Sequence, residues 1–183
     1  MPYVRCPTCG VLSYAPRHAR ECPECGVPVT LGGGPSLDAS DRDRRLDRLL
    51  RMTRELLDAD VALLSEIRDG REFARLVDGD WPGRDSLQNA SVPLEDTFCQ
   101  RMLDGRIGNY IRDAQSDPRV TDLVMARRLG VGAWLGVPID VSSTRLYVLC
   151  CLARESRPSI GQREVSLLMG LAESVRAELQ AIQ

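Results

Sequence analysis

The chain has 183 residues, 43% of them hydrophobic, and its 24 Lys+Arg against 26 Asp+Glu leave a net charge of −2. That length suits one domain of ordinary size with a small appendage, and the apolar fraction supports a packed core without disulfide staples. The near balance of charge excludes a broad positive field for nucleic acid and leaves only local patches to consider.

The opening residues, MPYVRCPTCG, lack the positive start, apolar run and small-residue cleavage site of a secretory leader. The richest apolar stretch, Val131 to Cys151, is interrupted by Asp140 and Arg145, so it reads as strands rather than a membrane span. These features predict a cytoplasmic protein with no membrane association. In that reducing compartment paired Cys mean metal more often than disulfide.

RCPTCG, Arg5 to Gly10, is echoed by ECPECG, Glu21 to Gly26. Each pair, Cys6 with Cys9 and Cys22 with Cys25, has two residues between its members, so each short loop turns two thiolates toward one ion. Gly10 and Gly26 follow the second Cys of each pair, where a permissive residue lets backbone amides point back at sulfur. Four soft sulfur ligands predict a structural, tetrahedral zinc, and iron fits the same geometry. Because four thiolates leave no open coordination position, the ion is expected to build the module, not to do chemistry. His18 lies between the pairs and reads as a surface side chain beside a complete Cys set. The segment from about Tyr3 to Thr30 resembles a zinc ribbon of the rubredoxin-knuckle kind, which implies docking onto protein or binding to nucleic acid. Arg5, Arg17, His18 and Arg20 stand beside Glu21 and Glu24, without a track of interleaved basic and aromatic residues. Protein docking is therefore the favoured expectation, and nucleic acid the lesser one.

LGGGPS, Leu31 to Ser36, marks a joint. The organisation expected is a zinc ribbon over residues 1–30, a flexible linker over 31–37 and a main domain over 38–183. Leu46, Leu49, Leu50, Thr53, Leu56 and Leu57 recur on one helical face, with Asp38, Ser40 or Asp41 as candidate caps. DVALLSEI, from Asp60, and REFARLV, from Arg71, read as a hairpin turning at Arg68 to Gly70. SVPLEDTFCQRMLDG reads as a short strand entering a helix capped by Thr97 with Gln100 and closed by Gly105. RIGNYIRDA gives a further strand, and DLVMARRLG a short helix stopped at Gly130. VGAWLGVPIDV and TRLYVLCCLA read as adjacent strands joined at Asp140 to Thr144. In the last helix Ser159 with Gln162 forms a capping-box pattern, and Val165, Leu168, Ala172, Val175 and Leu179 make a seam. The fold class is α/β, a mostly antiparallel sheet flanked by helices. The two terminal amphipathic helices either cover the sheet or pair with their copies in a homodimer.

Three strings, VPLEDTFCQRMLDGRIGNYIRDAQSDPR, ARRLGVGAWLGVPI and LYVLCCLARESRPSIGQREVSLL, span most of the main domain. Through them residues of about 38 to 181 resemble a GAF domain, a sensing module of bacterial signalling proteins. The resemblance implies a cavity between sheet and helices near Cys99, Tyr110, Asp113 and Leu129. Relatives hold cyclic nucleotides, haem or bilins there, or mainly dimerise. Where many relatives place Gly after the Tyr of the last hairpin, this chain has Val148, beside the expected pocket floor.

The residues themselves offer two readings of each position. Asp113 is either a ligand contact or a brace for its loop, and Tyr110 either stacks on a ligand or packs in the core. Cys99, at the second position of its helix, is a redox candidate if the free amides lower its pKa, and a small hydrophobe otherwise. Cys150 and Cys151, adjacent in a strand, should face opposite ways. No axial His serves the main domain for haem, and no nucleophile, base and acid set stands out, so no enzymatic activity is expected. A sensor or signalling adaptor follows, with the zinc ribbon docking a partner. Because the last helix runs to the end of the sequence, the output is expected from that partner protein. The alternatives are a nucleic-acid-binding regulator acting through the ribbon, and a ligand-free structural homodimer.

Overall fold

In the computed structural model, which describes residues 3–5, 12–14, 37–81 and 90–180, strands form where apolar side chains alternate and helices where they recur by threes and fours. The chain divides into two units, Met1–Ser40 and Asp41–Gln183. In the first, β1 (Tyr3–Arg5) and β2 (Leu12–Tyr14) pair antiparallel, Tyr3 opposite Tyr14 and Arg5 opposite Leu12. Cys6, Cys9, Cys22 and Cys25, and the joint at 31–36, lie outside the described residues.

Helix α1 runs Leu37–Leu56. It starts at a residue that composition assigns to the linker, so Asp38, Ser40 and Asp41 fall within its opening turns rather than before it. Next come β3 (Val61–Arg68) and β4 (Arg71–Gly79), joined through Asp69 and Gly70, both at positive φ (52° and 68°) as a two-residue hairpin requires. Leu64 pairs with Leu76 but Ser65 with Ala74, so Arg75 is an extra residue that bulges β4.

Strand β5 (Ser91–Pro93) leads through a 3-10 turn into α2 (Phe98–Leu103). Strand β6 (Tyr110–Ile111), α3 (Val124–Leu129), β7 (Ala133–Ser142), β8 (Arg145–Ala153) and α4 (Gln162–Gln180) complete the chain. The sheet order is β5-β4-β3-β8-β7-β6, with each of these pairs antiparallel. The α/β architecture read from the sequence is thus present, and the expected mostly antiparallel sheet is antiparallel throughout these pairings.

Local chemistry sets the helix ends. Thr97 Oγ1 accepts from the Gln100 amide at 3.3 Å and donates to the Leu94 carbonyl at 2.8 Å. The Gln100 side chain turns the other way, toward Asp104 at 3.3 Å. Gly130, at φ 63°, stops α3. Helix α4 begins later than the Ser159 and Gln162 pattern suggests. Its cap comes from one side only, from Glu164, whose Oε2 accepts from the Gly161 amide at 2.9 Å.

The two faces of the sheet carry separate cores. On one, Val148, Cys150 and Leu152 of β8 join Val61, Leu63 and Trp134 under α2 and α3. On the other, Tyr147, Leu149 and Cys151 join Ala62, Leu64 and Val137 under α1 and α4. Cys150 and Cys151 therefore do face opposite ways. The α4 seam is buried at all five positions expected of it. Along α1, Leu46, Leu50 and Thr53 are buried, but Leu56 is 56% exposed and departs from the expected face.

Candidate functional site

The face under α2 and α3 is incompletely filled. A cavity of about 70 Å³ lies between the sheet and the two short helices. Its floor is Leu63 of β3, Glu72 and Ala74 of β4, Trp134 of β7, and Cys150 and Leu152 of β8. Its roof is Thr97, Phe98 and Cys99 at the start of α2, with Met125 and Leu129 of α3. One wall is an aromatic stack: the Phe98 and Trp134 rings lie 5.6 Å apart and 10° from parallel. Gly136 makes the stack possible. A Cβ there would come within 2.4 Å of Trp134 Cζ2, so the indole lies flat only where the next inward residue has no side chain. Val148 is wholly buried on the same face.

The lining is apolar with one exception. Glu72 Oε2 is buried and has no hydrogen-bond partner, whereas the Thr97 hydroxyl is satisfied at the helix cap. Around Glu72 the usual pattern is inverted. Strand alternation puts this charged side chain on the core face and its neighbour Phe73 on the other. There, Arg68 and Arg75 guanidinium groups cover the Phe73 ring at 4.9 and 5.2 Å from its centroid. Sequence reasoning passed over Glu72. The signal available to it was a carboxylate in phase with Ala74 along a strand.

Cys99 occupies the second position of α2 and is 2% exposed. A hydrogen bond with Cys150, burial and the nearby Glu72 charge raise its pKa well above the ordinary thiol value. That direction opposes activation by the helix amides and keeps the sulfur protonated. Burial likewise pushes up the Cys151 thiol on the opposite face.

The four residues singled out for a pocket do not meet in one place. Cys99 and Leu129 line the cavity. Tyr110 and Asp113 line a shallow surface groove with Arg112, Ser116 and Arg119. The register of β6 explains the separation: Tyr110 pairs with Leu135 and packs on the α1 and α4 side, while Ile111 pairs with Trp134 and faces the cavity side. Asp113 braces its loop, its Oδ2 accepting from Ser116 Oγ at 2.7 Å and its Oδ1 from the Gln115 amide at 3.2 Å. Tyr110 lies under the Arg112 guanidinium, 5.1 Å from the ring centroid.

Among the described residues, no cluster of three or more His, Cys, Asp or Glu side chains is arranged to hold a metal. No helix there is long and apolar enough to cross a membrane. Residues 41–179 match the family described as the GAF domain. No curated protein matches the chain. Among solved structures, the chain is similar to the blue-light absorbing form of the PixJ GAF domain from Thermosynechococcus elongatus, with 18% identity, a TM-score of 0.63 and coverage of 81% of this chain and 90% of that one. It is also similar to the GAF domain/HD domain protein from Geobacter sulfurreducens, with 14% identity, a TM-score of 0.61 and coverage of 77% and 93%. A third similar structure is the GAF-B domain of DevS from Mycobacterium smegmatis, with 17% identity, a TM-score of 0.57 and coverage of 77% and 94%. At these identities the likeness shows the fold.

Proposed function

Since the chain belongs to the GAF domain family over residues 41–179, we propose that it is a small-molecule-sensing signalling module whose ligand site is the cavity beneath α2 and α3. GAF domains are non-catalytic signalling modules, and residues 41–179 are read here in that role. One observation carries the reading: an apolar cavity between the sheet and two short helices, with a buried, unpartnered carboxylate oxygen in its lining. A void lined by apolar side chains forfeits packing energy that a guest restores. At about 70 Å³ the cavity is well below the ~300–1,000 Å³ of sites enclosing drug-sized ligands. In this conformation it has no room for a haem, a bilin or a cyclic nucleotide. Its guest is therefore small.

The amino-terminal unit enters this reading as a zinc ribbon held by Cys6, Cys9, Cys22 and Cys25, with iron as the alternative ion. Its support is the paired spacing, together with β1 and β2, which bracket Cys6 and Cys9 in the sequence. It docks the partner protein that carries the output. Homodimerisation uses the terminal helices, through apolar surface left outside their buried seams. Met52 and Leu56 on α1 are 48% and 56% exposed, and Leu167 and Met169 on α4 are 40% and 47% exposed.

Native mass spectrometry followed by denaturing identification of released small molecules tests these parts separately. Metal, a dimer and a compact ligand are the expected species. Recovery of metal with monomer only, and no small molecule, overturns both sensing and dimerisation. Exhaustive chelation should unfold the amino-terminal unit, because such sites supply about 10–16 kcal/mol of apparent binding energy. Retention of its circular dichroism after chelation overturns the metal assignment. The ligand-free homodimer remains the second reading, favoured by the small size of the cavity. It predicts dimer without released ligand.

A further inference from the structure

We propose that the guest of this cavity is a compact protonated amine, its ammonium group received by the Glu72 carboxylate and its short carbon chain lying against Trp134 and Leu129. The assignment rests on the reading of the cavity as a ligand site and specifies the chemistry of that site.

Buried polar atoms in folded proteins are almost always hydrogen-bonded, and the exceptions call for a cause. Glu72 Oε2 is such an exception. It is out of contact with water, with no Arg paired to it, although the same strand places Arg71 on Ser91 and Arg75 on Glu66. An isolated ionised carboxylate in an apolar environment is strongly disfavoured unless a donor or an opposite charge meets it. A hydrophobic side chain at this position would cost nothing of the kind. The adjacent Phe73 shows that the strand does carry one, turned to the other face and shielded by Arg68 and Arg75. Such a local inversion, a charge inward and an aromatic outward, marks positions where fold preference has yielded to another demand.

The walls narrow the guest further. The Cys99 thiol already lies against both Cys150 and Glu72, so the remaining demand is for one strong donor. Leu63, Phe98, Trp134 and Leu152 offer it only apolar contact. A cavity of about 70 Å³ admits only a compact guest. An ammonium bearing two carbons meets the charge, the donor count and the size together. A carboxylate or phosphate meets none of the electrostatic requirement. With so few non-hydrogen atoms, affinity should be no tighter than about 1 mM.

The test uses the full chain, labelled with nitrogen-15, and follows the Trp134 indole N–H signal at constant ionic strength. Ethylammonium chloride, ethanol and sodium acetate are added in separate titrations. The expected result is a saturable shift with ethylammonium that weakens at least tenfold in Glu72→Gln, with weaker responses to the other two. Equal or tighter binding of ethanol or acetate by the natural chain overturns the amine assignment but leaves the cavity as a ligand site. So does undiminished ethylammonium binding by Glu72→Gln. If none of the three probes moves the Trp134 signal, both this inference and the ligand-site reading fail.

Discussion

The two faces of the sheet were built from the same strands and came out differently. Under α1 and α4, helices of 20 and 19 residues lay long seams on the odd-numbered residues of β8, and the space left there is a cleft of about 420 Å³ where the end of α1 nears the start of α4, edged by Arg157, Arg163 and Glu164. Under α2 and α3, helices of 6 residues each cover the even-numbered ones and leave a cavity. Long helices present a whole apolar stripe and gain their stability from packing it. Short ones touch the sheet at a few points, and their ends must be tied down by caps and ion pairs. The face under the short helices should therefore open locally more readily than the face under the long ones, as local-opening energies in folded proteins commonly divide.

The largest expected effect would break that comparison if it failed. Leu168→Ala, at a wholly buried position of the α4 seam, should lower stability by ~2–5 kcal/mol. Leu129→Ala, half-buried beside the cavity, should cost under about 1.5 kcal/mol. Equal losses in denaturant unfolding would mean that the cavity face is packed as tightly as its opposite. Gly136→Ala comes next. The added methyl collides with the Trp134 indole and should cost ~1–3 kcal/mol, with a shift in tryptophan fluorescence as the ring leaves its stack on Phe98.

A smaller effect has the opposite sign. The Ser65 hydroxyl is wholly buried on the cavity side and has no partner. Ser65→Ala should raise stability by up to about 1 kcal/mol, measured by thermal unfolding. The smallest effect is the dependence on acid. A side-chain hydrogen bond from Arg106 lowers the Asp104 pKa from 3.8 to about 2. Hydrogen bonds from Arg119 and Arg101 lower those of Asp117 and Asp122. Carboxylates with depressed folded values stabilise above their unfolded value and lose that contribution as pH falls through the folded one. All three lie between the start of α2 and the start of α3. At pH 3, hydrogen-exchange protection, taken relative to the intrinsic rate at that pH, should therefore fall over residues 98–129 before it does over 162–180, and simultaneous loosening would show that the faces are not independent.

Much of the fold was legible because it depends on local periods. The five α4 seam residues, the Thr97 cap, the Gly130 stop and the opposite facing of Cys150 and Cys151 all follow from repeats of 3.6 or 2 and from terminal chemistry. Boundaries were less legible, since a cap pattern such as Ser159 with Gln162 competes with Glu164 reaching back to Gly161, and sequence does not rank the two. The site was the least legible part. Cys99 and Leu129 reach the cavity, but Tyr110 lies elsewhere because a one-residue difference in β6 register decides which face a side chain joins, and Asp113 falls past the end of that strand in a loop it braces itself.

What the sequence by itself determined is the set of elements, their amphipathic faces and the paired Cys motif of the amino-terminal unit. Only the tertiary structure decided that Glu72 opens into a cavity walled by Trp134 and Phe98, because strand order and register bring β4, β7 and α2 together from distant parts of the chain. Local periods fix which side chains share a face. Which other faces they meet depends on contacts that no short window of sequence contains.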